Sequence, residues 1–486
     1  MGTNHVSRRH FLQFFTLTSA GAVLAACAPA SAPQPTTAPQ EPAGGAATSA
    51  PAPAPGEAAK ITVFVGFGTG TDPSQIQVHN QIAKEFNDAH QDIQVEFLTV
   101  PHEENNTKFA TMLSGDMAPD ISMPQGLSGI AAFYDEWLDI APYIERDRYD
   151  TSDFAGTTAE IFVFPGRLLG LPMGIYPQVV YYNENLFDAA GLGYPSHKFG
   201  EKDWTYDKLV EIAGKLTLDE ADNDATSASF DWQRTKQWGW DGLSYVGTVR
   251  DVAPKWGGSS MGVSDDYKTA QYDAQPYIDC TQWTVDTVFK WHIRATGEQA
   301  AAINQTGDPM GSGMVAMWEC WSWMNYAYSG WSDAFSWDVA AVPMVASVGR
   351  PFTDEDADNF TISKHSKHPD QAWEVSKYFV SPEILVRLCD NWGAIPARQS
   401  TFDSWKDGMV ARFGEKDWQV FLDAIDYMFL PNSESWLPDY GKVMAALVNA
   451  WEQLLNGVTT DVKATMEQAN QEIQGILDEY WNAHTS

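Results

Sequence analysis

The stretch from Ile61 to Phe97 switches hydrophobic period twice, and that switch admits very few chain paths. Ile61–Val65 is a short apolar run that reads as a strand, and Gly66-Phe67-Gly68-Thr69-Gly70-Thr71 follows as a loop. Asp72-Pro73 supplies a helix N-cap and first helical residue, with Gln75 at the capping-box position. Val78, Ile82, Phe86 and Ala89 then recur at helical spacing, and Ile93, Val95 and Phe97 alternate as a strand does. Two strands joined by one helix pair in parallel through a right-handed crossover. The glycine loop is thereby placed at the carboxyl end of a strand, where open α/β sheets hold ligands.

Later segments extend this α/β pattern. Ile121–Met123 reads as another strand, while Leu168–Met173 and Val179–Tyr182 bracket a proline-rich piece. Glu184–Ala190 reads as a helix stopped by Gly191. The middle, roughly 200–345, mixes helical stretches with Trp- and Gly-rich loops. Met444, Leu447, Val448, Trp451 and Leu455 share one helical face with Gly457 past its end, and Val462, Met466, Ala469, Ile473 and Leu477 mark a final helix. There is no internal repeat.

Ahead of the folded region, Met1–Ala26 reads as an export leader. Arg8-Arg9 precedes an apolar run ending in Leu24-Ala25-Ala26-Cys27, the pattern cleaved once the thiol is lipidated. That run is too short for a transmembrane helix. Twin arginines suit the twin-arginine route, with general secretion as the alternative. A diacylated Cys27 supplies the two chains that stable anchoring needs. Residues 27–59 form an Ala/Pro-rich stalk with too little to bury for a fold of its own.

The chain carries 64 acidic against 30 basic residues, net −34. The leader contributes two arginines and no acid, so the exported part is more negative still. Nucleic acid, which demands a basic footprint, is excluded as a partner. With Cys27 committed to lipid, Cys280, Cys320 and Cys389 allow at most one disulfide. Twenty Trp, 18 Tyr and 24 Phe fit a binder of flat, hydroxyl-bearing rings, against the alternative that most are core residues.

Enzyme and metal signatures fail in detail. Gly66-x-Gly68-x-Gly70 has Thr71 where a dinucleotide fingerprint needs its third glycine. A calcium loop begun at Asp222 would need glycine at Ser227 and a glutamate at Gln233, so Asp219, Asp222 and Asp224 read as a solvated acidic loop. His365 and His368 have no third zinc ligand nearby. There is no Gly-x-Ser-x-Gly elbow. A glycoside hydrolase stays open as a rival, since accidental carboxylate pairs abound, although nothing singles one out. A tethered adhesin would call for repeated β-rich modules.

From about Lys60 onward several segments stand in the order of one family. They are Ala83-x-x-Phe86-Asn87-x-x-His90-x-Asp92-Ile93-x-Val95-x-Phe97, Met112-Leu113-Ser114-Gly115-Asp116-x-x-Pro119-Asp120-Ile121 and Gly170-Leu171-Pro172-Met173. Tyr182-Asn183-x-x-Leu186-Phe187-Asp188-x-Ala190-Gly191-Leu192, Asp203-Trp204-Thr205 and Gly313-Met314-Val315-Ala316-Met317 follow. The set ends with Ser363-Lys364-x-Ser366-Lys367-His368-Pro369-x-x-Ala372-Trp373 and Gly393-Ala394-Ile395-Pro396-Ala397. On these residues the chain resembles the solute-binding proteins of sugar ABC importers, the family of maltose-binding protein, in its lipoprotein form.

The resemblance implies two α/β lobes, each a mixed or parallel sheet flanked by helices, with ligand in the cleft between them. The first lobe would be 60–174 plus 350–400, the second 175–349 plus 401–486. It further implies a non-enzymatic, extracytoplasmic, membrane-anchored monomer without cofactor or metal. Such a receptor would hand a neutral mono- or oligosaccharide to permease transmembrane subunits, with a non-sugar solute as the alternative. Carried over by position, the ligand contacts would be Gly66 and Phe67 after the first strand, and Gln125 after the third. Tyr176 and Gln178 would lie at the first crossing, with Glu319, Trp321 and Trp323 after Val315-Ala316-Met317. Trp392 would sit beside Gly393, and Trp436 or Tyr440 in the late loop. A core or surface role is the alternative at every one, and Trp321 leads. Where relatives often have paired glycines, Asp354–Phe360 reads either as an acidic loop contributing Asp358 or Asn359 to ligand, or as a solvated turn.

Overall fold

The computed structural model describes residues 58–155, 160–164, 166–242, 248–303, 305 and 307–484. The leader, Cys27 and nearly all of the stalk lie outside the described residues. Strand β1 (Ala59–Val65) leads through helix α1 (Pro73–Ala89) to β2 (Ile93–Thr99), and the two strands pair in parallel with Ile61 opposite Val95. Asp72 and Gln75 close the expected capping box, and Ile82, Ala83 and Phe86 form the buried face with His79. Strand β3 (Ile121–Gln125) pairs in parallel with β1 on its other side.

A single strand, β4 (Leu171–Asn183), replaces the two short pieces expected around the prolines, and all 13 of its residues are buried. The remaining strands of this sheet are β5 (Asp241–Gly242), β6 (Met317–Trp321), β7 (Trp337–Ala340), β8 (Glu355–Ile362) and β9 (Ile395–Pro396). The sheet runs β2-β1-β3-β8-β4-β6-β5, with β7 and β9 also on β4. Residues Leu171–Pro177 of β4 pair with β8, and Gln178–Tyr182 pair with β6. Pro172 faces Asn359 at a register shift, and Pro177 is the last β8 pair before the handover to β6. Each missing N–H thus falls where the ladder is already interrupted, which is why a central strand tolerates both.

Helix α2 (Glu184–Ala190) follows β4 directly, capped by the Asn183 side chain and ended by Gly191 at φ +65°. Helix α3 (Pro382–Trp392) ends on Gly393 at φ +82°. Helices α4 (Tyr440–Leu455) and α5 (Val462–His484) close the chain, and α5 buries Val462, Met466, Ala469, Ile473 and Leu477 as its spacing predicts.

Two large apolar cores result among the described residues, beside a small cluster of Trp238, Ile303 and Val315. One gathers Ile61, Phe86, Ile121, Trp137, Trp373 and Leu385, and takes in Trp405 and Trp418 from the 402–424 helices. The other gathers Leu209, Trp240, Trp283, Leu447, Trp451 and Ile473. Trp137, Trp240, Trp331, Trp337, Trp373 and Trp418 are almost wholly buried, so much of the aromatic surplus serves packing. Cys280, Cys320 and Cys389 are separate buried thiols. Asp219 is a buried organiser rather than a solvated loop acid. It accepts the amides of Ala221, Asn223 and Asp231, and the Asn223 side chain first among these contacts holds its carboxyl down at about 2.

Candidate functional site

A cavity of about 530 Å³ lies at the carboxyl ends of β1 and β3. Its first wall is the loop after β1. Phe67 is held by Phe64 and Phe109, each with ring centroids 5.1 Å away. At Gly68 a Cβ would stand 3.1 Å from both an Asp358 oxygen and the Pro124 carbonyl, so glycine lets this loop lie against the acid. Gln75 ties the loop to α3, accepting from the Gly70 amide at 2.8 Å and donating to the Asn391 carbonyl at 3.0 Å.

Aromatic rings form the second wall. Trp392 donates through Nε1 to His79 Nε2 at 2.9 Å. Burial pulls the His79 imidazole down to about 4, which keeps it neutral and able to accept. Trp323 meets the Tyr176 ring at 5.8 Å and 64°, and stacks on Trp321 at 5.1 Å and 6°. Trp323 faces the cavity, whereas Trp321 is 4% exposed and lies behind it beside a small adjoining recess.

Carboxylates make the third wall. The Asp354–Phe360 run is the entry to and first part of β8, between β3 and β4, not a solvated turn. Strand alternation puts Asp354, Asp356 and Asp358 on one side, with buried Ala357 on the other. Tyr176 donates to Asp358 Oδ2 at 2.9 Å, and Asn432 and Ser433 donate to Asp354 at 3.0 and 2.6 Å. Glu434 comes in from the late loop and accepts the Ser128 amide at 3.1 Å. Burial is the first cause that raises all four acids, to about 8 for Asp354 and about 7 for Asp358. Neighbouring acids add to it: Asp251 acts on Asp354, Glu434 on Asp358, and Glu434, Asp358 and Asp354 on Asp356.

Of the residues singled out in the sequence, Phe67, Tyr176, Trp323, Asp358 and Trp392 line this cavity, with Trp321 behind Trp323. The others point elsewhere. The Gly66 carbonyl is taken by Asn105 at 2.9 Å and His102 at 3.1 Å. Gln125 is fully buried and accepts from Thr361. Gln178 and Glu319 both accept from buried Lys255, and Tyr206 donates to Glu319 at 3.1 Å, so these two serve an internal ion network. The register shift beside Asp358 turns Asn359 against the backbone of Gly170. Trp436 stacks on Tyr134 at 4.9 Å and, with Tyr440, lines a different surface pocket. Asp356, Glu434 and Ser128 were missed. For Asp356 the signal was present in the Asp-x-Asp-x-Asp alternation, whereas Glu434 comes from a loop and Ser128 from the helix Leu127–Ala132, which is too short to show a period.

The raised acids imply a pH signature. Each keeps its proton in the fold to higher pH than in the unfolded chain, so their stabilising contribution is complete at low pH and is lost as pH rises through about 7 and 8. His79 opposes this below 6.5, because its folded value lies under its unfolded one. The ligand-free melting temperature is therefore expected to fall by roughly 3–8 °C between pH 6.5 and 8.5 at constant salt. A flat or rising profile there would contradict the burial of these acids.

The family model of the bacterial extracellular solute-binding proteins matches residues 73–384. The chain belongs to that family. Solute-binding proteins capture small molecules outside the cytoplasm, and no helix among the described residues is long and apolar enough to cross a membrane. Among curated protein sequences none matches this chain. An ABC substrate-binding protein of Listeria monocytogenes, solved in complex with cycloalternan, superposes with TM-score 0.67 at 20% identity, covering 87% of this chain and 100% of that one. The GacH receptor of Streptomyces glaucescens, solved unliganded and with acarbose, gives 0.64 at 18% identity over 87% and 100%. A solute-binding protein of Thermotoga lettingae bound with α-D-tagatose gives 0.64 at 17% identity over 86% and 100%. These likenesses establish the two-lobed periplasmic-binding-protein fold.

Proposed function

We propose that this solute-binding protein captures a carbohydrate, mono- or oligosaccharide, and delivers it to an ABC importer by hinge closure. The observation that carries the reading is a cavity lined both by the rings of Phe67, Tyr176, Trp323 and Trp392 and by the carboxyl groups of Asp356, Asp358 and Glu434. Sugar rings present apolar C–H faces to aromatic planes and hydroxyl donors to carboxylates, so a site of this mixture suits them. The saccharides bound by the structural relatives support the same class. The lobes would be 60–174 with 350–400 and 175–349 with 401–486. Contacts made from both exist only when the hinge closes, so ligand shifts the population toward the closed form. The closed form is what the permease subunits would recognise. The leader and Cys27 sequence supports lipid anchoring at the membrane, where the receptor would act as a monomer.

A thermal-shift panel of saccharides tests the reading. A cognate sugar at 100 times its Kd adds about 2.7 kcal/mol of apparent stability, and it is recovered uncleaved. Scattering should show a smaller radius of gyration with that sugar. A panel in which amino acids shift the melt and no saccharide does would refute the assignment, and cleaved product would favour a hydrolase.

A further inference from the structure

We infer that the solute is an amino sugar whose ammonium group sits among Asp356, Asp358 and Glu434, a deepening of the carbohydrate reading that rests on it. The first ground is how little the protein itself asks of these acids. Asp358 is 5% exposed and lines the cavity, yet only its Oδ2 has a donor, Tyr176; Oδ1 takes no hydrogen bond from the described residues. Among the described residues, Asp356 accepts only the amide of the adjoining Ala357. Glu434 accepts from Ser128 alone among the described residues. Three neighbouring carboxyl groups thus present unfilled acceptor positions to one cavity.

The second ground is that the nearby cations are already spent. Arg250 is fully buried and donates to the carbonyls of Ser260 at 2.7 Å and Ser435 at 2.8 Å. Lys255 is 1% exposed and donates to Gln178 and Glu319. From the other elements, Asp251 and Asp354 face the cluster with further acid. Tyr176, Tyr440 and Cys389 lie close by and are pushed up by burial, so they stay neutral. His102 reaches the cavity but its Nδ1 is engaged with the Gly66 carbonyl. Among the described residues no lysine or arginine lines the cavity, and Arg250, from behind the wall, only partly offsets the rise that burial gives the Glu434 carboxyl.

A neutral sugar would meet these carboxyl groups with hydroxyls and do nothing to favour their ionisation. An ammonium donates three hydrogen bonds and brings the missing charge. It would also replace protons that burial and crowding hold on the ligand-free acids, so binding would release protons and tighten as pH rises. A neutral sugar has no such linkage. A cationic ligand within the same carbohydrate class thereby replaces the expected neutral one.

The test is calorimetry on the whole chain with glucosamine, galactosamine and mannosamine and the glucosamine dimer and trimer, each beside its N-acetylated and its plain hydroxyl counterpart. An amine member should bind at least tenfold more tightly than both counterparts. Its affinity should rise by about tenfold per pH unit below pH 7 for each proton displaced, with proton release seen by repeating the titration in buffers of different ionisation heat. Asp358→Asn and Glu434→Gln should each cost about 30-fold in amine affinity and flatten the pH slope, while their ligand-free melting temperatures stay at or above the parent's. Tighter, pH-independent binding of the neutral members overturns the inference and leaves the carbohydrate reading standing, as does unchanged amine affinity in both variants. Binding of spermidine with no saccharide of either kind would do the reverse, keeping the ammonium seat and removing the sugar. Silence from every compound overturns both.

Discussion

Trp323→Ala is expected to weaken saccharide binding by about 30- to 1000-fold, a loss of roughly 2–4 kcal/mol, with a small effect on the melt. Trp323 is half-buried, stacked on Trp321 with an edge toward Tyr176, and it lines the cavity. Its orientation is set before ligand arrives, so little ordering entropy opposes binding. Trp321→Ala should behave differently. That ring is 4% exposed, so its removal opens a void and acts first on stability. Calorimetry and thermal melts on both variants separate the roles. Equal affinity losses with equal melting losses would mean that the stacked pair acts as one structural unit and that Trp323 is no separate contact.

Lys255→Met is expected to destabilise the fold by about 3–5 kcal/mol, because it leaves the Glu319 carboxylate buried without its counter-charge. Both side chains are at most 1% exposed. Gln178 loses its donor at the same time, leaving Tyr206 as the remaining donor to Glu319. The double variant Lys255→Met with Glu319→Gln should recover much of that loss, since the uncompensated charge is gone. Denaturant titration of these two variants and of Glu319→Gln alone measures the coupling. A single Lys255→Met change costing under about 1 kcal/mol would show that the pair is not sequestered as its burial indicates. The same result bears on Glu319 as a structural residue rather than a ligand contact, because this network ties β4 and β6 to the 253–256 turn.

Legibility followed how locally each element is decided. The β1-α1-β2 unit announces itself through period, capping box and proline, all within a few residues of one another. The α5 face is legible for the same reason: five residues at helical spacing are the five that bury. Strand β4 was not, because Pro172 and Pro177 look like breaks until the bulge and the change of partner are known. Strand β8 was obscured by its charges. Three alternating aspartates look solvated until β3 and β4 close on either side. The spacing of Trp321 and Trp323 says that they share a face of an extended segment, not which one reaches the cavity.

What the amino-acid order decided by itself is the α/β class, the crossover at the start, the terminal helices and the candidacy of a few aromatic residues, since these rest on contacts within one turn or one strand. The resemblance carried by the ordered motifs pointed to the family that the match over 73–384 establishes. Only the tertiary structure decided which side chains meet. It brought residues as distant in sequence as Phe67, Asp358 and Glu434 to one wall and sent Glu319 to Lys255. Burial and charge balance are sums over neighbours from remote segments, and no window along the chain contains those sums.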